Sequence, residues 1–382
     1  MDPNPFLHGF QPDAKNESLR LWLKRGKLAE SDFNYFRGHA DVFYRYWKKL
    51  ELPSSPAVWS CGDVHVKNVG TYRGQNGIAY FDLDDFDDAA LAPLHFDLGR
   101  ATAGLYLTHG AEQADDFLRT YGKTLANGKP FHIEPECAKG PVKLLFDRVT
   151  SVTRSEFLQQ WVKRDRIRDI PSETFRLPSV TRQRALGIFE AWSSRQEDGK
   201  KFEVMDVCGS TAGVGSLTRE RYLVLIRGKR KPAIIDMKEA QPSGLAAAAG
   251  TPQPKWHSEA HRVATIQRFV QYMPINRLGW TDTTPSFVLT EFQPAEDRMD
   301  SIHLTKKEYS RFVRQWARLV AWAHLRVAGW KGSPTTDELM DFGRRFGPAL
   351  QKRILTGAAA AAAQISEAYR QYRDTVVPEP GD

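Results

Sequence analysis

Cysteine is scarce in this chain: three residues in 382, Cys61, Cys137 and Cys208, an odd and widely spaced set with no C-x-x-C pair. That argues against a disulfide framework and a structural zinc site, and for a reducing compartment. No apolar run approaches the ~18 residues that a membrane helix requires. The opening residues, MDPNPFLHGF, lack the basic and apolar regions of a signal peptide. A cytoplasmic protein without membrane contact is therefore expected. RNP, zinc-finger and helix-turn-helix signatures are also absent, so nucleic acid is not expected as a partner. What is present suffices for a large core: 41% of the residues are hydrophobic and 11% aromatic, enough for one large or two ordinary globular domains. The net charge of +8 suits nucleotides or acidic substrates, and equally serves solubility.

The chemistry-bearing stretch is CGDVHVKNVGTYRGQNGIAYFDLDDFDDAALAPLHFDLGR, from Cys61 to Arg100. Asp63, His65 and Asn68 stand close together between Gly62 and Gly70. A turn signal at Gly74–Gly77 leads into the apolar run Ile78–Phe81, which reads as a buried strand. That strand empties into Asp82, Asp84, Asp85, Asp87 and Asp88. Carboxylates packed so closely repel one another unless a cation sits among them, and oxygen donors joined by the Asn68 amide suit Mg²⁺. An acidic run is ordinarily a solvated face, and Asp and Asn crowd any turn. Here, however, the acids follow an apolar strand directly. Asp63-x-x-x-x-Asn68 has the spacing of a phosphotransferase catalytic loop, in which the Asp accepts the proton of the attacking hydroxyl and the Asn holds Mg²⁺. Asp85-Phe86-Asp87 stands where the metal-binding D-F-G follows. Asp63 and His65 are thus the catalytic candidates, and Asn68, Asp85 and Asp82 the metal candidates, with the choice among the acids of 82–88 left open. His65 more often orients such a loop than binds metal, and Asp97 is expected to brace the loop or cap the following helix. Arg37, on a helix expected over Glu30–Leu50, is the one nearby charge that could reach a phosphate or a site carboxylate.

These motifs carry a resemblance. G-D-x-H-x-x-N, D-F-D-D-A, Pro93 and Asp97-Leu98 resemble the catalytic half of the aminoglycoside-phosphotransferase branch of the protein-kinase-like superfamily. Over most of its length the chain resembles a bacterial family of unassigned function, DUF2252, through FRGHA from Phe36, CGDVHVKN from Cys61, DDFDD from Asp84 and MKEA from Met237. The kinase-like resemblance implies an α+β, two-lobe fold with ATP and Mg²⁺ as cofactors.

Downstream, helices are expected over 97–126, 141–165 and 182–194, with the basic segment 164–180 either a substrate-facing loop or a solvated linker. The character changes at Lys200. A glycine-rich turn with Gly209, Gly213, Gly215 and Ser216 can present backbone N–H groups to phosphates. Two strands follow, Arg221–Ile226 and Ala233–Lys238. Lys238 ends the second, as does the lysine that pairs with nucleotide phosphates in a kinase fold. Asp236 shares its strand face, where a small apolar residue would normally cover adenine. Residues 241–255 read as a loop, and Trp256–Tyr272 as a helix whose only acid, Glu259, is a partner for the lysine, with Glu239 the alternative. Ser286–Phe292, containing the further cofactor-binding candidate Glu291, reads as a strand entering a hinge-like polar segment. Helices are expected over 306–327, 336–346 and 347–372.

In a kinase-like chain the glycine loop and lysine precede the catalytic loop, whereas here Asp63 and Asp85 come first. A circular permutation accounts for this order. Three parts are then expected: residues 1–199 as a helical lobe with the catalytic and metal loops, 200–300 as a β-rich nucleotide lobe, and 301–382 as helices packing on the first lobe. ATP- and Mg²⁺-dependent phosphoryl transfer to a hydroxyl acceptor is the leading function. A nucleotide-binding module without catalysis and a metal-dependent phosphohydrolase are the alternatives. The last lacks the G-D-x-x-D-R, G-N-H and G-H-x-H blocks of a two-metal cage.

Overall fold

The helix His95–Thr108 is buried on every side, from Phe96 through Leu105. A helix without a polar face must be enclosed by others. In the computed structural model, which describes residues 19–171, 173–196, 202–211, 219–227, 232–294, 296–299 and 304–376, its neighbours are Asp32–Gly38, Ala40–Lys48, Ala111–Asn127 and the long helix Pro348–Val376. The last returns from the far end of the chain. Ala358, Ala361, Ile365 and Ala368 bury its inner face, and Ser366 Oγ donates to Asp32 at 2.7 Å. The alanine run thus does what small helix formers allow, bringing two helices close. Lys306–Arg326 packs on Ala111–Asn127 through Phe312, Trp316, Leu319, Val320 and Ala323, the face expected from their spacing.

A six-stranded antiparallel sheet forms the second layer, in the order Gly279–Trp280, Phe287–Phe292, Pro232–Glu239, Arg221–Arg227, Glu203–Ser210, Thr174–Phe175. Alternation divides its residues between two faces. Tyr222, Val224, Ile235, Met237, Phe287 and Leu289 pack with Ile188, Phe189 and Trp192 of helix Ser179–Ser193. The opposite face carries Arg221, Asp236, Lys238, Val288, Thr290 and Phe292 toward the helical body, where they line a cavity. Register confirms the shared face, since Lys238 lies opposite both Arg221 and Val288, and Asp236 opposite Thr290. Two smaller sheets pack on the helical body: the hairpin Val69–Arg73 with Ala79–Leu83, extended by Asp297–Arg298, and the pair Ala57–Ser60 with Ala90–Pro93.

The architecture is α+β, as expected, with several local differences. The helix expected over 30–50 is two, Asp32–Gly38 and Ala40–Lys48, broken at His39 (φ −126°, ψ 43°), whose ring Nδ1 lies 2.7 Å from the Tyr35 carbonyl. The one expected over 97–126 is likewise split after Thr108. Residues 203–210, expected as part of a glycine-rich turn, are a sheet strand. The loop expected over 241–255 contains the helix Gly244–Ala249, capped by the Ser243 side chain. The sheet begins at Thr174 and its supporting helix at Ser179, so the second unit starts well before the expected boundary at 200. Among the described residues no helix is long and apolar enough to cross a membrane.

Candidate functional site

A cavity of about 930 Å³ separates the sheet from the helical body. Its volume is at the upper end of the range for small-molecule sites. Asp63, His65, Asn68, Asp84, Asp85, Asp87 and Asp88 line one wall, and Arg221, Asp236 and Lys238 another.

The Asp63 loop is a tight structure. Strand Ala57–Ser60 delivers it, and the backbone then turns through two left-handed residues, Gly62 at φ +68° and Asp63 at φ +45°. A Cβ at Gly62 would sit 2.6 Å from the Asp88 carbonyl oxygen, so glycine is required there. Asp63 is a non-glycine residue in the left-handed region, a conformation that costs on the order of 1–3 kcal/mol and needs support. Support comes from below. Ser60 Oγ donates to buried Asp97 and accepts the Gly62 N–H at 2.9 Å, while Asp97 Oδ2 lies 3.1 Å from His324 Nε2. The Asp63 N–H donates to Tyr44 Oη. Asp97 therefore braces the loop, in the role expected for it, and is not among the cavity-lining residues.

The Asp63 carboxylate is held on both oxygens. Arg100 donates to Oδ1 at 2.8 Å, and His65 Nε2 stands 3.4 Å from Oδ2. Arg100 is itself fully buried, lies over the Phe36 ring at 3.4 Å and donates to the Phe36 carbonyl. Burial alone would raise the Asp63 pKa, but Arg100 and then His65 outweigh it and hold the carboxyl well below the usual range. His65 is pushed toward its neutral form by burial, against the pull of Asp63. Its Nδ1 accepts the Lys67 N–H at 3.2 Å, which leaves the ring proton on Nε2, facing Asp63. Asn68 donates its amide nitrogen to the Asp63 carbonyl at 3.1 Å, so its amide oxygen is the end available to a cation.

The acidic run divides by partner. Asp82 is buried and outside the cavity lining: its Oδ2 accepts from Arg326 at 2.6 Å and from the Tyr272 N–H, and its Oδ1 from the Leu83 N–H. It is a structural anchor, which corrects its expected place among the metal ligands. Asp84 reaches the cavity instead. Its Oδ2 accepts from Arg298 at 2.8 Å, while Oδ1 is buried with no hydrogen-bond partner, and burial raises its pKa. Asp85 is about a third exposed, with Oδ1 3.7 Å from Lys238 Nζ. Asp87 takes Lys238 Nζ at 2.6 Å and also pairs with Arg219. Among the described residues no group of three or more His, Cys, Asp or Glu is arranged to hold a metal ion. Mg²⁺ commonly uses only one or two carboxylates beside waters and substrate phosphates. The orphaned Asp84 oxygen, the part-exposed Asp85 carboxylate and the Asn68 amide oxygen belong to cavity-lining residues and are the oxygen donors that could serve a cation in this way.

Lys238 thus lies beside Asp85 although the two are far apart in sequence. A family model described as an uncharacterized protein conserved in bacteria, DUF2252, matches residues 18–375. The chain belongs to the DUF2252 family. No curated protein and no solved structure matches it.

Several other residues expected at the nucleotide site of this DUF2252 protein lie elsewhere. Gly209 is inside strand Glu203–Ser210 beneath the Phe175 ring, which an added Cβ would meet at 2.1 Å; its role is packing. Gly213, Gly215 and Ser216 fall outside the described residues. Glu259 pairs with Arg262 at 2.7 Å rather than with Lys238. Arg262 in turn donates to the carbonyls of Asp87, Ala89 and Gln241, clamping the acidic loop. Glu239, the alternative, accepts the Glu220 N–H at 2.8 Å. Glu291 points away from the cavity, with Arg154 at 2.5 Å; its strand neighbours Thr290 and Phe292 line the cavity instead. Asp236 pairs with Arg221, not with the lysine.

Sequence reasoning named Asp88 only as one of five clustered acids, and it missed Arg298 and an aromatic corner. Asp88 lines the cavity, accepts the Gly244 N–H at 2.8 Å, and has its pKa raised to about 6 by burial and then by Asp63. Phe157 and Trp161 meet Phe292 with ring centroids 5.3 and 4.7 Å apart, and all three line the cavity. The helical pattern around Phe157 was visible, but nothing in it pointed to a strand more than a hundred residues on.

Proposed function

We propose that this protein is an ATP- and Mg²⁺-dependent phosphotransferase acting on a hydroxyl acceptor. The observation that carries the reading is the convergence, on one cavity, of the Asp63–His65–Asn68 loop, the Asp84–Asp85 carboxylates and Lys238. These are the parts phosphoryl transfer needs: an ionised acceptor for the hydroxyl hydrogen bond, oxygen donors for Mg²⁺ and a cation for the phosphates. Asp63, kept ionised by Arg100, would orient the attacking hydroxyl and receive its proton. Asn68, Asp84 and Asp85 would hold Mg²⁺, which would neutralise charge on the transferring phosphoryl group. Lys238 and Arg219, now spent on Asp87, would turn to the phosphates.

A circularly permuted kinase-like arrangement fits the chain order. The end of helix Lys306–Arg326 lies against the strand that feeds the Asp63 loop, and Trp59 Nε1 donates to the Trp330 carbonyl at 2.9 Å. That is the packing expected where an unpermuted chain would enter the loop. The Asp236–Arg221 pair places a polar group on the sheet face toward the base, so the nucleotide base would stack against the Phe157, Trp161 and Phe292 corner instead.

Thermal-shift titration with ATP, ADP and GTP, with and without Mg²⁺, tests the reading, because a ligand bound only by the native state raises its melting temperature. A Mg²⁺-dependent rise with ATP is expected. No rise with any nucleotide would remove the proposal. A rise without turnover on any acceptor would leave a nucleotide-binding module.

A further inference from the structure

We infer that the acceptor side of the cavity is built for an anionic compound: the hydroxyl acceptor carries a carboxylate or phosphate group that Arg37 binds. The inference rests on the phosphotransfer reading only in naming the ligand an acceptor; the anion site itself stands on Arg37.

Four cations of the cavity are committed to carboxylates: Arg219 to Asp87, Arg221 to Asp236, Lys238 to Asp85 and Asp87, and Arg298 to Asp84. Arg37 differs. It lines the cavity from helix Asp32–Gly38, and its one hydrogen bond among the described residues runs from Nε to His65 Nε2, 3.3 Å away. That contact is poor, because the Nε2 that faces it carries the ring proton when Nδ1 accepts from Lys67. Among the described residues no carboxylate lies within salt-bridge distance of Arg37, and neither Nη group has a hydrogen-bond partner. A half-buried guanidinium without a counterion favours binding an anion, and burial lowers the Arg37 pKa. Asp63 and Asp85 attract it from a distance, while Arg298 and Arg100 repel it. Lys24, also lining the cavity, has no ion pair among the described residues either, and burial lowers its pKa as well.

Position assigns the anion to the acceptor. The Arg37 contact runs through His65, and His65 stands 3.4 Å from the Asp63 carboxylate, on the side where the hydroxyl must approach. Lys238 and Arg219 gather instead at Asp85 and Asp87, where the nucleotide phosphates would sit. A planar fork whose two Nη groups have no partner among the described residues matches a carboxylate or phosphate in bidentate fashion. A cavity of about 930 Å³ leaves room for a small acceptor beside a nucleotide. A cationic acceptor would face Arg37 with like charge.

The test is calorimetric titration of the full chain with size-matched probes: glycerol, the cationic serinol, glycerate and glycerol phosphate. Each is run alone and with saturating ADP and Mg²⁺. Glycerate or glycerol phosphate should bind at least tenfold more tightly than glycerol and serinol, and the stronger of the two identifies the anion. Arg37→Gln should abolish that preference while leaving ADP affinity within about twofold; Arg37→Lys, which keeps the charge and loses the planar fork, is the second variant should Arg37→Gln melt early, and should weaken the preference. No anion preference in wild type, an unchanged preference in the variants, or displacement of the anion by ADP would each overturn the inference. No step needs turnover, so a failure of phosphotransfer alone leaves the anion site standing. Nucleotide binding without anion preference would overturn the site alone.

Discussion

Lys238→Met removes a charge while keeping the length of the side chain, and it separates nucleotide binding from folding. Lys238 Nζ stands 2.6 Å from Asp87 and 3.7 Å from Asp85, with the side chain about one-fifth exposed. If it turns to a phosphate on binding, its loss removes a charge-assisted hydrogen bond worth about 1.5–3 kcal/mol. At about 1.4 kcal/mol per decade, ATP should bind roughly 10- to 100-fold more weakly. The fold should suffer less. Abandoning a buried charge completely costs about 3–5 kcal/mol, but Asp87 keeps Arg219, so the loss should stay below about 2 kcal/mol. The acid limb of the stability curve offers an internal check. Burial raises the Asp87 pKa, yet Lys238 and then Arg219 lower it overall. A depressed carboxyl contributes stability above its unfolded pKa and loses it as pH falls through the folded one. With Lys238 gone the depression shrinks, and stability should fall less steeply below about pH 4. The assays are ATP titration by calorimetry and urea unfolding across pH. ATP affinity within twofold of wild type, in a variant that keeps its melting temperature, would refute the phosphate role of Lys238.

Asp85→Asn should strip the Mg²⁺ dependence from ATP binding, whereas Asp82→Asn should leave it intact and cost stability instead, since Arg326 would lose its buried partner; titration with and without Mg²⁺, with urea unfolding beside it, separates the two. For Asp88, a folded pKa of about 6 lies above the ordinary value, so the folded state holds the extra proton and stability declines as pH rises from about 4 through 6. Asp88→Asn should flatten that decline and raise the melting temperature at pH 8 relative to wild type, measured by scanning calorimetry.

Much of the site was legible because it is local. The Asp63–Asn68 spacing, the strand leading into Asp82–Asp88 and the position of Lys238 at a strand end are all short-range patterns, and the cavity gathers Asp63, Asn68, Asp85 and Lys238. Asp82 misled because spacing does not reveal partners: only the folded chain brings Arg326 to it. Glu259 misled in the same way, through Arg262. Gly209 looked like a loop glycine, yet it serves the close approach of Phe175, a contact between neighbouring strands that no local pattern encodes. The helices were legible from apolar spacing, and their breaks at His39 and after Thr108 were not, because tertiary contacts decide where a continuous pattern bends. Arg37 was noticed, but that it has no carboxylate partner among the described residues is a property of the assembled cavity.

The central claim is that Asp63 serves the acceptor and not the nucleotide, and Asp63→Ala measured for both binding and rate tests it most directly. The variant should bind ATP with Mg²⁺ about as tightly as wild type. Its rate of phosphoryl transfer, or of basal ATP hydrolysis, should drop by roughly 10²-fold or more, the usual worth of a positioned general base. A variant that turns over ATP at the wild-type rate, or one that loses ATP binding and rate together while remaining folded, would contradict the account.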